Sequence, residues 1–328
     1  MSDAEPEHPF APFVRTLGRG PGRSRALTRA EAREALAAVL RGEAAPEQVG
    51  AFLMLLRYRG EAADEISGLV EAARDVLGAG LPPGCPPVAL DWPSYGAGRT
   101  RGEPWFLLAA LALAAAGVTV LMHGSNEFSQ GTAVEAGLAS LGLPVCTSTT
   151  AAGAELGRSG FAYMPLDALS PALNRLLTLR GLLGLRSPIN TVVRLLNPFD
   201  APCSVDGVFH PPYIEVHLGA AELLRRGRLA VVKGGGGEAE RNPAKPVAVH
   251  LWTDTGRSEL LLPARPEPGE PGSLRDGWLR GDGPGAATAR ATVALAVLAL
   301  GRAETAEAAD AMADAIWSAR LHASSLAS

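Results

Sequence analysis

Lysine is nearly missing from this sequence. Of 30 basic residues among 328, only Lys233 and Lys245 are lysine. With so much alanine, glycine and arginine, this bias fits a GC-rich genome, so an arginine count alone is weak evidence of phosphate binding. Cysteine is scarce too. Cys85, Cys146 and Cys203 stand far apart with no metal-ligand spacing, which leaves them as small buried or surface thiols in a reducing cytosol. No apolar run of about 18 residues is free of charge or glycine, so no membrane span is expected. Residues 1–12 are acidic, contain proline and lack an apolar signal core; we expect a disordered tail and a cytoplasmic protein. The formal net charge of −4 argues against a uniformly basic nucleic-acid binder but permits a local basic patch.

What is present is an ordinary globular composition, 47% apolar and 20% charged, long enough for two domains and a large core. Residues 13–30 carry Arg15, Arg19, Arg23, Arg25 and Arg29 and no acid. Thr28 and Glu31 form a capping box that opens a helix to about Leu40. Gly42 ends it, Pro46 opens a second helix with an apolar stripe of Val49, Phe52, Leu53, Leu55 and Leu56, and Gly60 closes that one. A third helix is predicted over about 63–77. The proline- and glycine-rich residues 78–87 read as a linker. We therefore expect a helical domain over 13–80 and an α/β domain over 81–328.

Beyond the linker, strand and helix alternate, which implies a mainly parallel sheet. Strands are predicted at 88–90, 118–122, 161–164, 229–233, 247–253 and 258–262, with a short edge at 143–146. Helices are predicted at 105–116, 132–141, 151–157, 171–184, 219–227, 287–300 and 305–320. Residues 264–285 read as Pro/Gly-rich loop, and no internal repeat is evident.

The unit from Val88 to Gly131 presents two polar loops at the carboxyl ends of its strands, where ligands sit in open α/β sheets. The first, Pro93-Ser94-Tyr95-Gly96-Ala97-Gly98, is either an anion cradle at a helix start or a plain tight turn; Arg99 and Arg101 follow it. The second is His123-Gly124-Ser125-Asn126. No carboxylate stands at a spacing that marks His123 as half of a catalytic dyad. His210-Pro-Pro-Tyr-Ile-Glu215 reads as a helix start with the histidine as cap. Gly234–Gly237 lets backbone approach a ligand closely, with Lys233 and Arg241 on its flanks. Glu238 and Glu240 are its nearby acids and are not adjacent, whereas a Mg²⁺–diphosphate site uses a neighbouring pair.

Four stretches carry a family resemblance. Residues 40–61, Leu-Arg-Gly-Glu-Ala-Ala-Pro-Glu-Gln-Val-Gly-Ala-Phe-Leu-Met-Leu-Leu-Arg-Tyr-Arg-Gly-Glu, resemble the N-terminal helical domain of anthranilate phosphoribosyltransferases, members of glycosyltransferase family 3. Gly184-Leu-Arg-Ser-Pro-Ile-Asn190, Leu196-Asn-Pro198 and Gly207-Val-Phe-His-Pro211 are similar to later signatures, in order, over residues 13–320. The resemblance implies an α/β protein of the nucleoside phosphorylase-like architecture: a small all-helical domain, part of 171–196 packed on it, and a larger domain with a mainly parallel sheet. It also implies a homodimer joined through the helical domains. The implied chemistry displaces diphosphate from phosphoribosyl diphosphate with an aromatic amine, assisted by Mg²⁺.

The resemblance also shows departures. Where the family has Gly-Thr-Gly-Gly-Asp, this chain has Pro93-Ser94-Tyr95-Gly96-Ala97. Where it has Lys-His-Gly-Asn, this chain has Met122-His123-Gly124-Ser125, with the amide displaced to Asn126. The metal-binding Asp-Glu pair falls on Gly237-Glu238. Arg186 matches the arginine that contacts the acceptor, and Asn190 and His210 are retained. Each lost charged contact costs roughly 1.5–3 kcal/mol of binding. The pattern resembles a divergent YbiB-like clade, also through Gly18-Arg-Gly20, Pro93-Ser-Tyr and Pro198-Phe199.

Two functions follow as expectations. One is sequence-independent binding of single-stranded DNA or RNA by a dimer, through Arg15, Arg19, Arg23, Arg25, Arg29, Lys233 and Arg241, with glycines 18, 20 and 22 keeping the arm adaptable. The other is a phosphoribosyltransferase that keeps Arg186, Asn190, His123 and Glu238, uses Mg²⁺, and replaces lost phosphate contacts with Arg99, Lys233 or Arg241. A structural or regulatory paralogue of a tryptophan-biosynthesis enzyme is the third reading. Tyr95 then blocks the old site, stacks on a base or packs as a loop tyrosine.

Overall fold

The structure is a computed structural model that describes residues 7–20, 22–96, 102–125, 127–128 and 131–321. Four helices come first: α1 (Ala11–Gly18), α2 (Arg29–Leu40), α3 (Pro46–Arg59) and α4 (Ala63–Leu77). The capping box at α2 forms as expected: Glu31 N donates to Thr28 Oγ1 at 3.2 Å, and Thr28 N donates to the Glu31 carboxylate at 2.8 Å. Helices α2 and α4 lie close because their facing residues are small: Ala32, Ala35, Ala72 and Ala73 are fully buried. Gly68 sits where a methyl group would collide with the Arg29 carbonyl. The expected disorder of residues 1–12 is corrected at its end. Phe10 is buried against Phe13 and Phe52, edge to face, and α1 begins at Ala11.

The second part runs β1 (Leu90–Ser94), α5 (Trp105–Ala115), β2 (Val120–Gly124), α6 (Val134–Ser140), α7 (Thr149–Ser159), β3 (Phe161–Pro165), α8 (Leu166–Leu169), α9 (Pro171–Thr178), α10 (Arg180–Leu183) and α11 (Ile189–Val192). It continues with β4 (Cys203–Val208), α12 (Pro212–Leu223), β5 (Arg228–Lys233), β6 (Val247–Thr253), β7 (Gly256–Leu262), α13 (Leu274–Arg280), α14 (Gly283–Ala299) and α15 (Ala306–Ala319). Among the described residues the strands form one seven-stranded sheet in the order β3-β2-β1-β4-β5-β6-β7. Strands β1 to β5 pair in parallel, and β6 and β7 are antiparallel. One sheet face is covered by α5 and α14. Helix α5 is apolar all round and buried from Trp105 to Leu113, as a helix inside a layer must be. The other face shares a core with the helical part: Phe52, Leu69, Leu173, Leu177, Ile189, Leu218 and Val231 belong to one cluster.

Several elements differ from expectation. The first strand starts at Leu90 and runs through Pro93 and Ser94, which pair with His123 and Gly124; the turn therefore begins later. Pro93 is tolerated because the ladder on the other side is a single pairing, Asp91 with Ser204. His123 and Gly124 consequently end β2 and do not form a loop. Residues 143–146 form no strand, although Cys146 N donates to the Tyr163 carbonyl. The central strand β4 was not foreseen, nor was α13 within 264–285. Helix α12 begins at Pro212, within the helix start read at 210–215 and ahead of the predicted 219–227 span, but its cap is Pro211 and not His210; the predicted 171–184 helix divides into α9 and α10. No helix of the described residues is long and apolar enough to cross a membrane.

Two glycines give a stability contrast. Gly68→Ala should cost about 1–3 kcal/mol by forcing α2 from α4. Gly157→Ala on exposed α7, where nothing lies within 4 Å of the added carbon, should gain about 0.5–1 kcal/mol. Chemical denaturation of the two variants checks the opposite signs.

Candidate functional site

Strand order reverses between β1 and β4, and the carboxyl ends of β1, β2, β4 and β5 meet there. The residues that follow those ends split into a closed part and an open part.

The closed part holds the two glycine loops. Ser94 and Tyr95 are buried. The Tyr95 hydroxyl is 2.8 Å from His123 Nδ1, and His123 Nε2 is 3.2 Å from Asp91 Oδ1, off the hydrogen-bond direction. Ser204 Oγ donates to the other Asp91 oxygen at 3.3 Å. Burial lifts the Tyr95 phenol well above its usual range, so it stays protonated. Ser125 N donates to the Ser94 carbonyl, and a side chain at Gly124 would collide with that carbonyl. Gly96 lies directly on Glu238, and a side-chain carbon there would run into the carboxylate. Tyr95 is thus a packed tyrosine, one of the three readings its sequence allowed. Arg99, Arg101, Ala97 and Asn126 lie outside the described residues.

The open part is a cavity of about 310 Å³ between α3, α10, α11 and α12, the end of β4 and Gly237 in the turn after β5. Arg186, Asn190 and His210, the three expected acceptor-site residues, all line it. Arg57, Arg180, Arg194, Tyr213 and His217 line it with them. Arg186 is half-buried, and burial followed by the charges of Arg180, Arg194 and Arg57 holds its pKa down. Arg194 is buried; it donates to the Asn190 carbonyl at 2.7 Å and to the Tyr95 carbonyl at 2.6 Å. Desolvation lowers its pKa, opposed by Glu238, Asp206 and Tyr95. Arg57 donates to the Tyr213 hydroxyl, which donates to Glu61 at 2.9 Å. Burial, then Glu61, pushes the Tyr213 phenol up to about 12. Arg180 stands 4.8 Å over the Phe128 ring. Phe209 is 48% exposed and meets His210 edge to face, so the cationic cavity has an aromatic rim.

The expected metal ligand does not fit a Mg²⁺ site. Glu238 is buried under Gly96 and faces the charge of Arg194. Among the described residues no group of three or more His, Cys, Asp or Glu side chains could hold a metal.

The expected nucleic-acid residues are reordered. Arg241 is corrected outright: it is fully buried, paired with Asp310 at 2.7 Å and bonded to the Pro263 carbonyl, and cannot reach a phosphate. Arg15 pairs with Glu7, Arg29 with Glu71 and the Leu223 carbonyl, and Arg25 grips Glu31 through two 2.6 Å bonds. Arg19 and Arg23 are exposed and have no ion pair among the described residues. Lys233 is exposed at the end of β5 and is not in the cavity wall. Sequence reasoning missed Arg57, Arg180, Arg194, Tyr213 and the buried pair Asp206–His217. Of these only Arg194 had a local signal, four residues after Asn190 on one helical face.

Comparison with known proteins agrees with this architecture. The family described as glycosyl transferase family, helical bundle domain, matches residues 11–76, and glycosyl transferase family, α/β domain, matches 106–316. An anthranilate phosphoribosyltransferase from Chelativorans sp. (strain BNC1) is 32% identical over 64% of this chain and 62% of its own length. The chain thus spans under two thirds of that relative. YbiB of Escherichia coli K12 is 29% identical over 78% of this chain and 83% of its own. The structure of anthranilate phosphoribosyltransferase from Saccharomyces cerevisiae in complex with PRPP and Mg superposes with a TM-score of 0.74 at 16% identity, covering 96% of this chain and 95% of that one. That likeness is one of fold.

The arginine arm makes an electrostatic prediction. Hydrogen bonding to Arg25, then to Thr28, holds the Glu31 carboxyl down to about 2, against the penalty of burial. Its folded pKa lies below the unfolded value of about 4.3, so its stabilisation is present at neutral pH and is lost as pH falls through about 2. Arg25→Ala should move Glu31 back toward the ordinary glutamate range, read by a carboxyl NMR titration.

Proposed function

The chain belongs to glycosyl transferase family 3, and from that membership we propose that it binds single-stranded nucleic acid without regard to sequence, as a homodimer, and no longer transfers phosphoribosyl groups. The observation that carries this reading is the cavity with four arginines, Arg57, Arg180, Arg186 and Arg194, and the rim Phe209, His210 and Tyr213. Guanidinium groups hold phosphate oxygens through paired donors. Aromatic faces stack on any base, so cations with aromatics give affinity without sequence readout. The packing of Tyr95 on His123 and of Gly96 on Glu238 supports the loss of diphosphate chemistry, because buried protein side chains fill the space beside these strand ends. Arg19 and Arg23 serve as outer contacts on the same reading, and a twofold dimer doubles every contact.

One observation favours a retained transferase: Arg186, Asn190 and His210 share one cavity, where an aromatic acid could still sit. Calorimetry with phosphoribosyl diphosphate and Mg²⁺ separates the two. We expect no heat at millimolar ligand; micromolar binding would restore the transferase.

Binding of a labelled single strand should fall steeply with salt. Three phosphate contacts, from Arg57, Arg180 and Arg186, correspond to a slope of roughly 2 in log Kd against log salt. The Arg180→Ala/Arg186→Ala double variant should weaken binding at least about tenfold and lower the slope by roughly 1.4. Unchanged affinity in that variant rejects the cavity as the binding site.

A further inference from the structure

Below the arginines lies a carboxylate–imidazole pair. Asp206 on β4 has no exposed surface, and His217 on α12 has 1%. Asp206 Oδ2 is 2.7 Å from His217 Nδ1. Asp206 Oδ1 has no hydrogen-bond partner among the described residues, a costly state for a buried carboxylate. The carboxylate accepts a hydrogen bond from His217 Nδ1–H, which fixes the ring's orientation and leaves Nε2 as its second polar atom. The His217 ring is part of the cavity wall, and no described residue bonds Nε2. The groups around the pair are the guanidinium groups of Arg194, Arg57 and Arg186 and the imidazole of His210, against Glu238, buried beside Arg194, and Glu61, held by Tyr213.

Building on the nucleic-acid reading, we propose that Asp206 and His217 form the innermost subsite of the cavity, which takes the terminal phosphate monoester of a strand together with a proton. Protonated His217 donates Nε2–H to a phosphate oxygen, and Asp206 holds the imidazolium. The arginines above answer the remaining charge. Two features select a chain end. The floor is closed by buried β4 and α12, so a strand cannot pass through it and present an internal diester. A monoester also carries a second charge, with a pKa near 6, and so gains more than a diester from a cation at the floor. Glycine at 207 and 237 keeps side chains off the adjoining wall.

The test compares strands of one sequence that end in 5′-phosphate, 3′-phosphate or hydroxyl, by fluorescence anisotropy from about pH 5.5 to 8.5. Calorimetry with a nucleoside 5′-monophosphate, in two buffers of different ionisation enthalpy, counts protons taken up. We expect one phosphorylated end to bind about tenfold more tightly than hydroxyl at pH 6 and to lose that advantage by pH 8. In His217→Gln the ratio should fall to about one, with folding checked by circular dichroism. Equal affinity for phosphorylated and hydroxyl ends, or an advantage that survives in folded His217→Gln, overturns the subsite and leaves the nucleic-acid reading standing. Monophosphate binding with proton uptake, but no strand binding, keeps the subsite and removes that reading. Monophosphate binding without proton uptake overturns the subsite with no variant required, and absence of all binding removes both.

Discussion

A guanidinium taken out of water must be surrounded by oxygen, and the site is arranged around that need at Arg194. Its donors go to the carbonyls of Asn190 and Tyr95, and its charge is met by Glu238 and Asp206. One side chain therefore joins α11 to the end of β1 and sets the distance between the closed loops and the open cavity. Breaking one partner of such a cluster costs more than making it gains, because the remaining charge is left buried. Tyr95, Gly96 and Glu238 are held together by this junction as much as by their own contacts.

The closed half follows the same logic with a carboxyl, an imidazole and two hydroxyls. Asp91, His123, Tyr95 and Ser204 form a polar thread at the strand ends, inside a layer that is otherwise apolar. A buried polar group needs a partner more than it needs a particular one. The tyrosine hydroxyl satisfies His123 from within the protein. In the open half Arg57 and Arg186 have no ion pair among the described residues, so one sheet edge carries both a closed site and an open one.

Much of the helical part was legible because its signals are local. Thr28 with Glu31, Pro46 before an apolar stripe and Gly60 after it mark helix ends within a few residues. The central strand β4 was not legible: Ser204 and Asp206 interrupt its apolar pattern, and their partners, Asp91 and His217, lie elsewhere in the chain. The arginine arm was misread for a related reason. Its neutralising carboxylates come from Glu7, Glu31 and Glu71, outside the stretch itself. Arg241 looked like a loop cation because its partner Asp310 is 69 residues away. Arg186, Asn190 and His210 were legible as motif residues, whereas Arg57 and Arg180 become neighbours only when α3 and α10 pack.

The seating of Gly96 on Glu238 bears on how this chain could change in future. A side chain added at Gly96 would run into the Glu238 carboxylate, so that position is closed to substitution while Glu238 stays in place. Met122 is fully buried in the apolar core with Leu107 and Trp92, so a lysine there enters hydrocarbon.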